Sequence, residues 1–170
     1  TLGGLVLWKT RSPEGCGTRY GSKAADAIVI GATLPLTINR LPEDGQLQLL
    51  NAMLLALDEI NQRDGVGGRL LALETCDSGS DLALTKRQAA WLADELKVPV
   101  LFTSLSSLTL AAANITVPRR VLTMTADATS PELTAVPASP DGVRLLWRTA
   151  PSDAMMGRVL AELLARDPAF

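Results

Sequence analysis

Two short stretches carry the side chains best suited to hold a small charged molecule. In Ala128-Thr129-Ser130-Pro131-Glu132-Leu133-Thr134, two hydroxyl residues stand directly before a proline and an acid, just after the apolar run Val121-Leu122-Thr123-Met124. That pattern is a strand emptying into a helix start, where unpaired backbone N–H groups and the helix dipole attract an anion. Upstream, Val98-Pro99-Val100-Leu101-Phe102 runs into Thr103-Ser104-Leu105-Ser106-Ser107 and makes a second junction of the same kind. Ser106 and Ser107 would serve a ligand carboxylate from one junction, Thr129 and Ser130 from the other. Plain helix capping is the competing use of the same residues.

Other chemistry finds little support. The chain has no histidine, so a serine nucleophile lacks its usual base, and nothing ties Lys86 or Lys97 to a serine in a Ser–Lys pair. Gly65, Gly67 and Gly68 follow a helix and precede a strand, the reverse of a dinucleotide fingerprint, and read as a turn. Glu74, Asp77, Ser78 and Asp81 lack the ligand ladder of a calcium loop and read as a solvated loop with a helix cap. No catalytic residue, metal or cofactor is therefore expected. Trp91 reads as helix packing, and Trp147, next to Arg148, as core at a strand end.

The elements that must position these residues follow from periodicity. Ala27 to Ala32 is an almost unbroken apolar run, as expected of a strand buried on both faces. Leu50, Met53, Leu54, Leu57 and Ile60 recur at helical spacing, and Asn61-Gln62-Arg63-Asp64-Gly65 supplies a stop. Arg69 to Thr75 is the next strand, and Ser80 or Asp81 caps a helix carrying Leu84, Ala89, Leu92 and Leu96. Then come a strand over Val98 to Phe102, a helix over Ser107 to Asn114, a strand over Val121 to Met124 and a helical turn over Pro131 to Val136. Leu145 to Arg148 is a fifth strand. Ser152 or Asp153 caps a last helix with Met156, Val159, Leu160, Leu163 and Leu164 on one face. Strands alternating with helices at this spacing predict an α/β fold with a doubly wound, mostly parallel sheet. Ligands of such sheets bind beyond the carboxyl ends of the strands, where both hydroxyl junctions fall.

Bulk properties narrow the function further. The 170 residues are 47% hydrophobic but only 4% aromatic, so the core must be built from Leu, Val, Ala and Ile. A net charge of -2 with no Lys/Arg cluster leaves no footprint for nucleic acid. The most apolar window, Leu47 to Leu57, is broken by Gln48 and Asn51 and is far short of a membrane span. Thr1 to Leu7 has the apolar character of an export-signal remnant, but Trp8-Lys9-Thr10-Arg11 puts the charge on the wrong side. Residues 1–25 read as a tail or linker. Spacing leaves open whether Cys16 and Cys76 are bridged or are two unrelated thiols, and export would favour the bridge.

Six stretches occur together in a familiar order: Ile30-Gly31-Ala32-Thr33-Leu34-Pro35-Leu36-Thr37, Leu57-Asp58-Glu59-Ile60-Asn61, Gly65-Val66-Gly67-Gly68-Arg69-Leu70-Leu71, Cys76-Asp77-Ser78, Ala128 to Leu133, and Trp147-Arg148-Thr149-Ala150-Pro151-Ser152-Asp153. The series resembles type I periplasmic binding proteins of the branched-chain amino-acid and receptor-type ligand-binding family. The resemblance implies two α/β lobes closing on a small solute, with residues 26–150 as an incomplete ligand-binding lobe one. Residues 151–170 would be the crossover and first helix of lobe two, so that the fold is truncated here. It implies an exported protein, periplasmic or extracellular and in some members membrane-anchored, that binds an amino acid or amide-like solute. Such a protein feeds an ABC permease, or alternatively serves as a sensor ectodomain. An α/β enzyme acting on a phosphorylated substrate is a rival reading, since one fold hosts many functions.

Carried over by position, Ser107 corresponds to the serine holding the ligand α-carboxylate, with Ser106 before it. Thr129 corresponds to the hydroxyl residue at the α-amino and carboxylate groups, beside Ala128. Asp127 falls where a small residue offers its backbone carbonyl. Three departures stand out: Thr103-Ser104 replaces the usual glycine, the loop Ile38 to Asp44 has no aromatic, and Asp127 adds a carboxylate. The last would repel a plain carboxylate ligand unless it faces away, which opens the site to a cationic or amide ligand. A lobe without its returning segment also exposes apolar surface and is expected to self-associate.

Overall fold

The computed structural model describes residues 12–166. The apolar stretch Thr1 to Leu7 and its flanking charges lie outside the described residues. Six strands form one sheet in the order β1-β5-β2-β6-β7-β8. They are β1 (Cys16–Gly21), β2 (Ile28–Leu34), β5 (Leu71–Asp77), β6 (Val100–Thr103), β7 (Leu122–Thr125) and β8 (Leu146–Arg148). A two-stranded hairpin of β3 (Thr37–Ile38) and β4 (Leu41–Pro42) stands apart. The helices are α1 (Asp44–Asn61), α2 (Leu82–Asp94), α3 (Ser106–Thr116), α4 (Glu132–Ala135) and α5 (Asp153–Arg166). All pairings in the large sheet are parallel except β1 with β5. The doubly wound, mostly parallel architecture is therefore present.

Alternation along the central strands explains why both faces are covered. On one side Leu101, Ala112 and Val121 pack with Ala89, Leu92 and Ala93 of α2, and Val29 leans against them. On the other, Leu71 and Leu73 pack with Leu50 and Leu57 of α1, joined by Ile28, Ile30 and Phe102. Neighbours Leu101 and Phe102 thus serve opposite faces, which is the period of two that a strand imposes. Asn61, in the last turn of α1, accepts from the Leu71 N–H at 2.7 Å and donates to the Leu71 carbonyl at 2.9 Å, fixing where β5 begins. Gly65 closes that turn at φ +71°, and a Cβ there would lie 2.0 Å from the Arg69 carbonyl oxygen.

Three sequence expectations need correction. Residues 16–21 are not tail but the edge strand β1, held to β5 by the Cys16–Cys76 disulfide and by Arg19, whose Nε donates to Glu74 at 2.8 Å. Its side chains are mostly exposed and polar, so periodicity gave no sign of a strand. Trp147 is not core: β8 is the opposite edge, and the indole is 55% exposed, donating its Nε1–H to the Arg144 carbonyl at 3.0 Å. Finally, Leu96 lies beyond the end of α2, whose cap is Asp81, accepting from the Leu84 N–H at 2.6 Å. One polar strut has no counterpart among the sequence expectations. Gln88, fully buried on α2, accepts from the Thr33 hydroxyl at 2.6 Å and donates to the carbonyls of Glu14 and Asp77 at 2.8 Å.

Candidate functional site

Parallel register sets the rim. Thr103 is level with Thr33 and Thr125, and Thr125 with Arg148, so β2, β6, β7 and β8 end side by side. The segments leaving these strands are therefore brought to one edge. After β6 the chain turns through Leu105 and enters α3, where the first helical bond runs from the Thr109 N–H to the Leu105 carbonyl at 2.9 Å. The N–H groups of Ser106, Ser107 and Leu108 have no acceptor among the described residues, as the first turn of a helix dictates. Ser107 is exposed, and its hydroxyl makes no hydrogen bond among the described residues.

The second junction abuts the first. The Ser106 hydroxyl oxygen accepts from the Ser130 N–H at 3.1 Å. Ala128 is buried, its N–H donating to the Thr125 hydroxyl at 3.3 Å. Thr129 donates its hydroxyl proton to Asp153 Oδ2 at 2.9 Å, and the Asp153 N–H returns a bond to the Thr129 carbonyl at 3.0 Å. The Thr129 oxygen thus ties the rim to the start of α5 while keeping a lone pair to accept a further proton. Arg148 underpins the loop. Its Nη1 donates to the carbonyls of Thr129 at 3.2 Å and Ser130 at 2.6 Å, and its Nη2 to the Thr134 hydroxyl at 2.8 Å. These acceptors are neutral, so the guanidinium leaves its positive charge beside the rim. Sequence reading passed over Arg148 because its partners are mainly carbonyls, which leave no side-chain signature.

Asp127 is bonded on both carboxylate oxygens. Its Oδ2 accepts from the Ser104 hydroxyl at 2.6 Å and from Gln46 Nε2 at 3.4 Å. Its Oδ1 accepts from the Leu105 N–H at 3.1 Å and the Thr125 hydroxyl at 3.2 Å. Each oxygen takes two bonds from the framework, while the residue itself stays exposed at the rim. Ser104, noted in the sequence only as a departure from glycine, and Gln46, unremarked there, are both buried. Leu105 sits at φ +60°, ψ 141°, near a region essentially reserved for glycine, where a side chain costs about 1–3 kcal/mol.

The structure thus brings Ser106, Ser107, Asp127, Ala128 and Thr129 to one rim, with Asp127 exposed there and hydrogen-bonded to the framework. A cavity of about 220 Å³ between β7, β8 and α4 shares Thr125 and Arg148 with it. The acidic group near residue 77 is accounted for by local structure: Asp77 accepts from the Thr37 hydroxyl at 2.7 Å and the Gly79 N–H at 3.0 Å, and Asp81 caps α2. Among the described residues no cluster of His, Cys, Asp and Glu could hold a metal.

An open α/β lobe whose donors gather at the carboxyl edge of a parallel sheet is a solute-binding type of lobe. The periplasmic binding protein profile matches residues 28–169, and the chain belongs to that family. It is similar, at 31% identity over 144 residues, to the leucine-, isoleucine-, valine-, threonine-, and alanine-binding protein of Pseudomonas aeruginosa, a match covering 85% of this chain and 37% of that one. A solved ABC transporter substrate-binding protein of Desulfitobacterium hafniense in complex with Leu superimposes with a TM-score of 0.69 at 28% identity, over 82% of this chain and 38% of that one. The branched-chain amino acid transporter substrate binding protein of Streptococcus pneumoniae, in complex with isoleucine, shares the fold with a TM-score of 0.65 at 22% identity, over 75% of this chain and 35% of that one. The chain therefore spans under two-fifths of the length of these relatives. Among the described residues no helix is long and apolar enough to cross a membrane.

Proposed function

We propose that this chain carries lobe one of an extracytoplasmic solute-binding protein that takes up an amino acid and presents it to an ABC permease, without catalysis. The observation that carries the reading is the pair of fused strand-to-helix junctions. Three unpartnered N–H groups and the Ser107 hydroxyl stand beside Thr129, joined by the bond from Ser130 to Ser106. Donors at a helix start without a protein acceptor suit a carboxylate, which accepts on both oxygens. The Pseudomonas and Desulfitobacterium relatives are described as binding leucine, so an aliphatic amino acid is the ligand class proposed. Residues 26–150 form the lobe, and the chain from residue 151 crosses to a second lobe. α5, which buries none of its residues and is hydrogen-bonded to the rim through Asp153 and Thr129, supports that division.

The test is thermal unfolding and calorimetric titration of the complete two-lobed protein with L-leucine, L-isoleucine, L-valine and, as the opposing class, ATP. A ligand that binds only the native state raises the unfolding temperature. A rise with the aliphatic amino acids and none with ATP is expected. A rise with ATP alone would transfer the protein to phosphate chemistry.

A further inference from the structure

Asp127 is exposed at the rim, yet each of its side-chain hydrogen bonds among the described residues goes to the framework. Its partners come from three separate pieces of the fold: Gln46 in the first turn of α1, Ser104 and Leu105 between β6 and α3, and Thr125 at the end of β7. Ser104 is fully buried and Thr125 and Gln46 nearly so, so these donors have little water to turn to. The only one that is backbone belongs to Leu105, the residue held at φ +60° just before α3. An L-residue with a branched side chain does not hold that conformation unaided. The direction of the Ser106, Ser107 and Leu108 N–H groups depends on it, because Leu105 sets the angle at which the chain enters the helix.

From this we infer that Asp127 is a positioning residue. Its carboxylate pins the left-handed turn at Leu105 and so aims the first turn of α3 at the ligand, while making no ligand contact itself. The inference rests on the solute-binding reading for its consequence, but the pin itself can be tested without any ligand. It assigns to the side chain a task separate from that of the backbone at the same position. The chemistry is a fixed acceptor oxygen on a strained amide: the hydrogen bond to Leu105 stabilises a conformation that otherwise relaxes towards the extended region.

The experiment uses the complete protein and four variants: D127A, D127N, L105G, and D127A combined with L105G. Amide exchange at Leu105 reads the pin, and titration with L-leucine reads its consequence. In D127A the Leu105 amide loses its acceptor, so exchange at that site should quicken by tenfold or more and leucine affinity fall about tenfold. D127N keeps an oxygen in place of Oδ1 and should stay within about threefold of wild type in both readouts. Glycine adopts positive φ without help, so L105G added to D127A should recover most of the lost affinity. A side chain that touched the ligand could not be replaced in this way. Unchanged exchange at Leu105 in D127A overturns the inference whatever leucine does. Failure of L105G to restore binding also overturns it and makes Asp127 a ligand contact. If the wild-type protein ignores leucine while the exchange result holds, the ligand assignment fails and the pin stands.

Discussion

At the rim, hydroxyls that look alike in sequence do different work. Ser107 has no protein partner among the described residues, whereas Thr129 donates to Asp153. Ser107→Ala should therefore weaken leucine binding by about 1–3 kcal/mol, the cost of a hydrogen bond to a charged group, and leave amide exchange elsewhere unchanged. Thr129→Ala should weaken binding similarly and also quicken exchange in the first turn of α5, because the Asp153 carboxylate loses its donor. Calorimetry alongside exchange separates the two, and equal exchange profiles would contradict the division of labour. The positions of Ser106, Ser107 and Thr129 at strand ends were legible because Ser and Thr at helix starts have a local signature. The roles of Asp127 and Arg148 were not. Their partners lie far away along the chain, up to 81 residues for Gln46 and Asp127, and are partly backbone atoms that carry no residue label.

Among the elements, the central strands and long helices were readable because burial on both faces leaves continuous apolar runs. The boundaries moved by a residue or two: the third strand is Val100–Thr103 where Val98 to Phe102 was expected, and α3 extends to Thr116. β1 was invisible for the opposite reason. It is an edge strand of mostly polar, exposed residues, joined to β5 by an antiparallel backbone ladder, a disulfide and an ion pair that side-chain periodicity does not reveal. The bridge spans a sequence separation of 60, and closing a loop of that size in the unfolded chain is worth about 4 kcal/mol on the chain-entropy model. Replacing both Cys16 and Cys76 by Ser should lower the urea midpoint accordingly and raise the denaturant slope, because the unfolded chain without its crosslink exposes more surface. An unchanged midpoint would mean that β1 adds nothing to the fold.

For the whole molecule, the two apolar surfaces left open matter most. α5 buries none of its residues, and Met156, Leu160 and Leu163 are 57%, 58% and 59% exposed. A groove of about 300 Å³ between α1 and the sheet is lined by Ile30, Met53, Leu57, Leu73 and Phe102. Apolar faces of this kind favour association. Sedimentation of the 170-residue chain should show reversible self-association that L160K and L163K together reduce at least several-fold. A monomer at all concentrations would show these faces to be sufficiently solvated as they stand. The relatives, of which this chain covers less than two-fifths, have ample further length with which to cover such faces.

The antiparallel margin has one more outcome. Leu71 to Cys76 is buried throughout, so β5 with β1 peeled away would offer passing chains a greasy ribbon of unmet amide and carbonyl groups. The cystine makes that peeling a chemical event instead of a thermal one. Reduction would leave that border guarded by the β1 ladder and the Arg19–Glu74 pair, with no covalent tie.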